Sequence, residues 1–244
     1  MAFCAGFISV RLNYVQFTMI ININKPKGIT SHDVVDEVRK ATGEKRVGHA
    51  GTLDPFATGV LVVAVGREDT KKLNAITKDT EKEYIATLEL GKESTTGDPE
   101  GTIKPVENLP RVSYPHLTES KDTESKDIDK VLQGFMGETK QTPPAYSAIK
   151  VRGVPSYKLA RKGKEVKLPK RKVTIKEIEL LEYNPPFLKI RVVCGAGTYI
   201  RSLAQDIGEK LDTGAYLTEL ERTRVGDFKL KDSIPLSKLN RTKL

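Results

Sequence analysis

Cysteine is scarce in this 244-residue chain. Cys4 and Cys194 are the only two, too few for a disulfide framework and without the spacing of metal ligands. The three histidines are scattered, so the sequence offers no metal site either. No apolar run approaches the ~20 residues needed to cross a bilayer. The opening 18 residues are mildly apolar, but Arg11 interrupts them and they lack the ordered parts of a secretory signal. They are expected to form an extension, residues 1–18, with Met19 as an alternative start. No repeat of fixed period suggests a solenoid. These absences point to a globular protein of a reducing cytoplasm.

What the chain has is charge in one place. It carries 41 Lys and Arg against 32 Asp and Glu, a net +9. Between Lys150 and Lys172 there are 10 basic residues and 1 acidic one, which leaves 31 of each elsewhere. The whole excess therefore falls in 23 residues, as expected for a surface that meets a polyanion. A solvated lysine-rich face is the blander reading. Val151, Val154, Pro155, Tyr157 and Leu159 interrupt the charges and argue for a partly structured segment.

Elements can be read along the chain. A strand from Ile20 runs into a turn at Pro26 to Gly28, and Thr30 and Asp33 then open a helix with Val34, Val35 and Val38 on one face, ending near Gly43. Val60 to Val65 is a continuous apolar run, as in a buried strand. Tyr84, Ala86, Leu88 and Leu90 alternate onto one strand face. Glu119 to Asp127 reads as a mobile connection into a short helix around Ile128 to Phe135. Two prolines after Gln141 forbid a helix there. Val173 to Leu181 and the stretch holding Leu188, Ile190 and Val192 are further strands. Ile200, Leu203, Ala204, Ile207 and Leu211 share a helical stripe. Long, mixed connections between strands indicate an α+β fold.

Several residues stand out chemically. In "GHAGTLDPFATGVL", Gly48 to Leu61, Asp54 precedes a proline within a glycine-rich loop that abuts the apolar run. Pro55 restricts the aspartate backbone, and glycines permit close approach. A nucleophile benefits from being held still before substrate arrives. An Asx-type turn, in which Asp54 bonds only its own backbone, accounts for the residue equally well. Arg201 lies in the first turn of its helix, where a cation is disfavoured by ~0.3–1 kcal/mol. It is either a partner that keeps a carboxylate ionised or a surface arginine that tolerates the penalty. Tyr84 suits a core position or a plate for a base. His49 is five residues before Asp54, too far along the loop to be assumed its base. "GAGT", Gly195 to Thr198, lacks the rest of a phosphate-binding motif.

The ordered blocks "NKPKGITSHDVV", "VGHAGTLDPFATGVL", "KEYIATLELG", "QTPPAYSAIKVRGVPSYKLAR", "GTYIRSLAQDIG" and "LTELERTRVGDF" resemble the TruB family of tRNA pseudouridine synthases, of the bacterial stand-alone type, over most of the chain from Met19 to about Phe228. The resemblance implies a curved, mostly antiparallel mixed sheet with flanking helices and a central cleft. It implies that Asp54 is the catalytic aspartate, Arg201 its partner, Tyr84 the ring that packs on the target base and Leu220 a pocket wall. It places His49, Gly51, Thr52, Lys25 and Tyr199 near the substrate. Lys150, Arg152 and Arg161 fall in a loop, about residues 139–165, that clasps the RNA stem-loop.

The implied reaction isomerises uridine 55 in the tRNA T loop, with no cofactor, metal or guide RNA and with a monomer as the acting form. The catalytic domain is expected over 19–230, with 231–244 a short tail. Bacterial relatives usually continue into a PUA domain, for which little room is left before Leu244, so a minimal T-arm hairpin is expected to serve nearly as well as whole tRNA. A non-catalytic RNA chaperone, a guide-dependent synthase and a phosphate-binding hydrolase are the competing readings.

Overall fold

A computed structural model of the protein describes residues 19–107 and 121–239. The expected extension 1–18 lies outside the described residues, as do 108–120 and 240–244. In chain order the elements are β1 (Met19–Lys25), α1 (Ser31–Thr42), β2 (Val47–Ala50), β3 (Thr58–Val65), α2 (Arg67–Lys78), β4 (Lys82–Leu90), β5 (Lys92–Ser94) and β6 (Ile103–Pro105). There follow α3 (Lys121–Gln133), β7 (Gly137–Gln141), β8 (Lys150–Val151), β9 (Val154–Pro155), α4 (Ser156–Ala160), β10 (Arg171–Asn184) and β11 (Phe187–Cys194). The chain closes with α5 (Ile200–Lys210), β12 (Ala215–Val225), β13 (Phe228–Lys229) and β14 (Ile234–Pro235).

The main sheet runs β14-β1-β3-β12-β4-β11-β10-β7, with β2 added to β3 and β13 to β12. It is mixed: β12 lies parallel to β3, β14 parallel to β1, and the other pairs are antiparallel. The fold is α+β, as expected.

Burial explains the patterns. In β3, Leu61, Val63 and Val65 pack with Val34, Val35 and Val38 of α1, while Val60, Val62 and Ala64 pack on the other side with Leu73 of α2. A strand covered on both faces needs no polar alternation. By contrast β4 buries Tyr84, Ala86 and Leu88 on one face, with Leu188, Ile190 and Val192 of β11 and Leu203 and Ile207 of α5. Helix α1 opens with a full capping box: the Thr30 side chain accepts from the Asp33 backbone, and the Asp33 carboxylate accepts from the Thr30 N–H. Gly43 ends the helix in the left-handed region, at φ 71°.

Helix α3 begins at Lys121, inside the stretch expected to be a mobile connection. That stretch contains neither glycine nor proline from 121 to 133, so nothing in it breaks a helix. Residues beyond 230 are more than a tail. Ile234 and Pro235 pair with Ile23 and Asn24, and Leu236 and Leu239 pack on the α1 cluster.

The two halves of the sheet meet at β12. Along one edge Leu220 pairs with Ala86 and Arg222 with Tyr84. Along the other, Glu221 pairs with Thr58 and Arg222 with Gly59. This parallel join is tight: a Cβ on Gly59 would stand 2.3 Å from the Arg222 carbonyl oxygen. The loop that carries Asp54 leads directly into it.

Candidate active site

The Asp54 loop is held on both sides. Leu53 and Phe56 are buried in the main core. The Ser31 hydroxyl accepts from the Leu53 N–H at 2.8 Å and donates to the Leu53 carbonyl at 3.0 Å. The Pro55 carbonyl accepts from the Gly28 N–H at 2.8 Å and from the Lys25 ammonium at 3.2 Å. A turn closes from the Ala57 N–H to the Asp54 carbonyl at 3.1 Å. The carboxylate itself takes no part in this turn. Its partner is Arg201, so the Asx-turn alternative does not describe the residue.

Arg201 meets Asp54 side-on, with Nε 2.9 Å from Oδ2 and Nη2 donating to Oδ1 at 3.1 Å. Nη2 also donates to the Tyr146 carbonyl at 3.0 Å, and Nη1 to the Thr96 carbonyl at 3.1 Å. Nη1 lies 3.3 Å from Oδ2 of Asp98. A guanidinium has five N–H groups, and five oxygen contacts surround this one. The Arg201 side chain is 5% exposed and that of Asp54 31%. The arginine is sealed in while the carboxylate still opens outward, which suits a reactive group and its support. Arg201 is therefore no surface arginine.

Burial pushes the Asp54 carboxyl above the usual range; Arg201 pulls it down, and the neighbouring Asp98 charge pushes it up again. Burial also lowers the Lys25 ammonium to about 8, although Asp54 favours its charged form. Lys25 is fully enclosed and donates to the carbonyls of Pro26, Ile29 and Pro55 at 2.8, 2.7 and 3.2 Å. It thus ties the end of β1 to the Asp54 loop.

Tyr84 and Leu220 are buried in the same cluster as Leu53 and Phe56, and the Asp54 charge is felt at the Tyr84 phenol. Burial raises the phenol above its ordinary range. Tyr199 is the N-cap of α5; its N–H and carbonyl are both taken by the Gln141 side chain, at 2.8 and 3.0 Å. Gly51 turns the loop at φ 78°, and Thr52 is exposed beside it. His49 lies in β2 opposite Val63. Burial lowers its imidazole to about 4, with the Arg222 charge acting in the same direction, so it is neutral at pH 7. Its buried Nδ1 has no hydrogen-bond partner among the described residues.

The basic segment stands apart from this group. Lys150 and Arg152 belong to the β8–β9 hairpin, both exposed, with Arg152 at its turn. Arg161 follows α4 and sits 5.6 Å over the Tyr157 ring. Its charge reaches Glu100 at the exposed rim of the site. Two open depressions lie elsewhere, one by Glu83, Arg224 and Lys229, the other by Phe135, Thr139 and Asp206. Among the described residues no three His, Cys, Asp or Glu side chains group as a metal site requires.

A model of the N-terminal domain of TruB family pseudouridylate synthases matches residues 39–200, and a model of the tRNA pseudouridylate synthase B C-terminal domain matches 201–244. The chain belongs to the TruB family. It is 49% identical over 220 residues to the tRNA pseudouridine synthase B of Desulfotalea psychrophila, covering 88% of this chain and 85% of that one. It is 47% identical over 224 residues to the Dehalococcoides mccartyi protein of the same name, covering 92% and 70%. Among solved structures, a chain of a Cbf5-Nop10-Gar1 complex superposes with a TM-score of 0.66 at 34% identity. A chain of an H/ACA RNP bound to a substrate RNA containing 2'-deoxyuridine does so at 0.62 and 31%. Each superposition covers 91% of this chain but only 53% and 52% of the other. Membership in the TruB family makes the chain an isomerase, a pseudouridine synthase.

Sequence reading of this TruB chain missed Asp98, the second carboxylate on Arg201. A signal was present: Asp98 precedes Pro99 between Gly97 and Gly101, much as Asp54 precedes Pro55 among glycines. It also missed Arg222, which is 2% exposed.

Proposed function

We propose that this protein converts uridine 55 in the T loop of tRNA to pseudouridine, with Asp54 as the reactive carboxylate. The observation that carries the reading is the two-point pairing of Asp54 with a sealed Arg201, on a loop whose backbone is held at Leu53 and Pro55 on either side of it. Such a carboxylate is aligned before substrate arrives and needs little reorganisation during reaction. The names of the curated relatives supply tRNA as the substrate class.

Uridine and pseudouridine are isomers, so the reaction needs no external oxidant or group donor. The N1–C1′ bond breaks with its electron pair left on the uracil. The ring turns while bound, C5 joins C1′, and the C5 proton is lost as N1 regains one. Ionised Asp54 attacks C1′, attacks C6, or takes the 2′ proton to give a glycal; each route uses the same carboxylate at the same place. The target base leaves its stack at a cost of a few kcal/mol. Packing on Tyr84 and Leu220 and phosphate contacts from Lys150, Arg152 and Arg161 offset that cost. Recognition of the T arm rests on shape and backbone.

The test is Asp54→Asn on a T-arm hairpin, with pseudouridine content and hairpin affinity measured separately. Binding is expected to persist and isomerisation to vanish. Conversion at an undiminished rate by the Asn variant removes Asp54 from the chemistry. Tight binding by a parent protein that converts nothing favours the RNA-chaperone alternative.

A further inference from the structure

Arg222 is among the largest fully enclosed side chains of the protein. Its Nε donates to the Val60 carbonyl at 2.8 Å and its Nη2 to the Gly51 carbonyl at 3.0 Å. Across the β12–β4 pairing it lies directly opposite Tyr84, and its charge acts on the Tyr84 phenol. No carboxylate pairs with it among the described residues; the ion pairs there engage other side chains. A buried cation without a counter-ion is expensive unless something compensates it.

The surrounding charges show what is out of balance. Lys25, Arg201 and Arg222 are enclosed cations, and Asp98 is an enclosed anion. Asp54 adds a second negative charge beside them. These are three positive against two negative groups, with Glu100 outside at the exposed rim and the buried Lys82 adding a further positive charge that acts on Arg222. Both carboxylates lie on Arg201, so Lys25 and Arg222 bond to carbonyls alone, and of these two it is Arg222 that lies opposite Tyr84 and holds the Gly51 loop.

We propose that Arg222 is a positioning residue for the isomerisation: it ties the Gly51 loop to β3 beside Tyr84, and its charge, which no carboxylate pairs, offsets the negative charge that uracil acquires when the N1–C1′ bond breaks. The inference rests on the function proposed above. When that bond breaks, its electron pair goes to N1, and C1′ gains an Asp54 oxygen, becomes part of a glycal as C2′ loses a proton, or is left as an oxocarbenium ion where Asp54 has added to C6. The freed ring is an anion beside largely buried charged groups, where fixed charges act strongly. Arg222 favours the charged form of the Tyr84 phenol, in the same sense.

Leaving-group acidity tests this directly. T-arm hairpins carrying uridine or 5-fluorouridine at the target position are compared in single turnover, with glycosidic cleavage as the readout. Fluorine makes the departing anion intrinsically more stable, so a site that lacks its compensating charge should penalise the fluorinated substrate less. Two variants are used: Arg222→Gln, which keeps a donor for the buried carbonyls, and Arg222→Lys, which keeps the charge. Arg222→Gln is expected to slow uridine roughly 100-fold and 5-fluorouridine about tenfold or less, with hairpin affinity within about threefold of the parent. Arg222→Lys is expected to slow both substrates by similar factors. Equal slowing of both substrates by Arg222→Gln overturns the inference, as does a loss confined to affinity or thermal stability. Should Arg222→Gln not fold, Arg222→Met in its place is held to the same comparison, and a folded Arg222→Lys that discriminates between the substrates counts against the role of charge. A parent protein that cleaves neither hairpin overturns the proposed function itself, which separates the two failures.

Discussion

Asp98 and Asp54 share one guanidinium, and only Asp54 reaches outward. Asp98 Oδ2 lies 3.3 Å from Arg201 Nη1, and its side chain is 3% exposed. Its other oxygen accepts from the Thr96 hydroxyl at 2.5 Å and the Glu100 N–H at 3.0 Å. Asp98 therefore fixes the arginine from behind while Asp54 receives its two front donors.

Removing the Asp98 charge should loosen that alignment. A hydrogen bond to a charged group is worth ~1.5–3 kcal/mol, which corresponds to roughly 10- to 150-fold in rate. Asp98→Asn is expected to lower single-turnover conversion by an amount in that range, with hairpin affinity nearly unchanged. Parental turnover in the variant would show that Arg201 holds its pose without Asp98.

Acid should inactivate the protein earlier than an ordinary carboxylate would dictate. Burial raises the Asp54 pKa, and the proposed chemistry needs the ionised form. Activity is therefore present above the raised pKa and lost as pH falls through it, above the ~3.9 of an unperturbed aspartate. A single-turnover profile on a hairpin, restricted to pH values where binding and fold persist, measures the limb. An inflection at or below the unperturbed value contradicts the buried setting described here.

Ser31 links stability to chemistry. Its hydroxyl satisfies both backbone groups of buried Leu53, the residue before Asp54. Ser31→Ala leaves two buried polar groups without partners, at ~1–3 kcal/mol for each. Urea unfolding should show a loss of that order, and the rate should fall as well, because the Asp54 backbone is freed. Unchanged stability would mean that the loop finds other partners.

The basic hairpin should act through salt-dependent affinity. Each phosphate contact contributes ~0.7–0.9 to the slope of log K against log salt. Lys150→Ala combined with Arg152→Ala should flatten that slope by about 1 to 2 and weaken binding, while conversion at saturating protein stays near the parental rate. A parental slope would place the RNA elsewhere.

Some of this architecture was written in local signals. Thr30, Asp33 and Gly43 mark both ends of α1, and the unbroken apolar run of β3 reflects cover on two faces. Strand β12 was harder to see. Its Glu219, Glu221, Arg222 and Arg224 hide the alternation, because it sits between neighbours at the seam and buries a cation there. Helix α2, with Arg67, Lys71 and Lys72 along it, rests on the sheet through few apolar residues, among them Leu73 and Ile76. The motif around Asp54 announced a rigid loop. That Arg201, 147 positions away, is its partner follows only from how α5 packs, which no spacing along the chain encodes.

Strand β12 also sets when this centre comes into being. It joins β3 to β4 from positions 215–225, more than a hundred residues after both of them. During synthesis, the strands that flank it are made long before it emerges. Until it inserts, Tyr84 lacks its neighbour across the sheet and Gly51 the donor that holds its carbonyl. The reactive centre is thus completed only after its other parts have been made, and a nascent chain that stops short of Arg222 carries its ingredients without their arrangement.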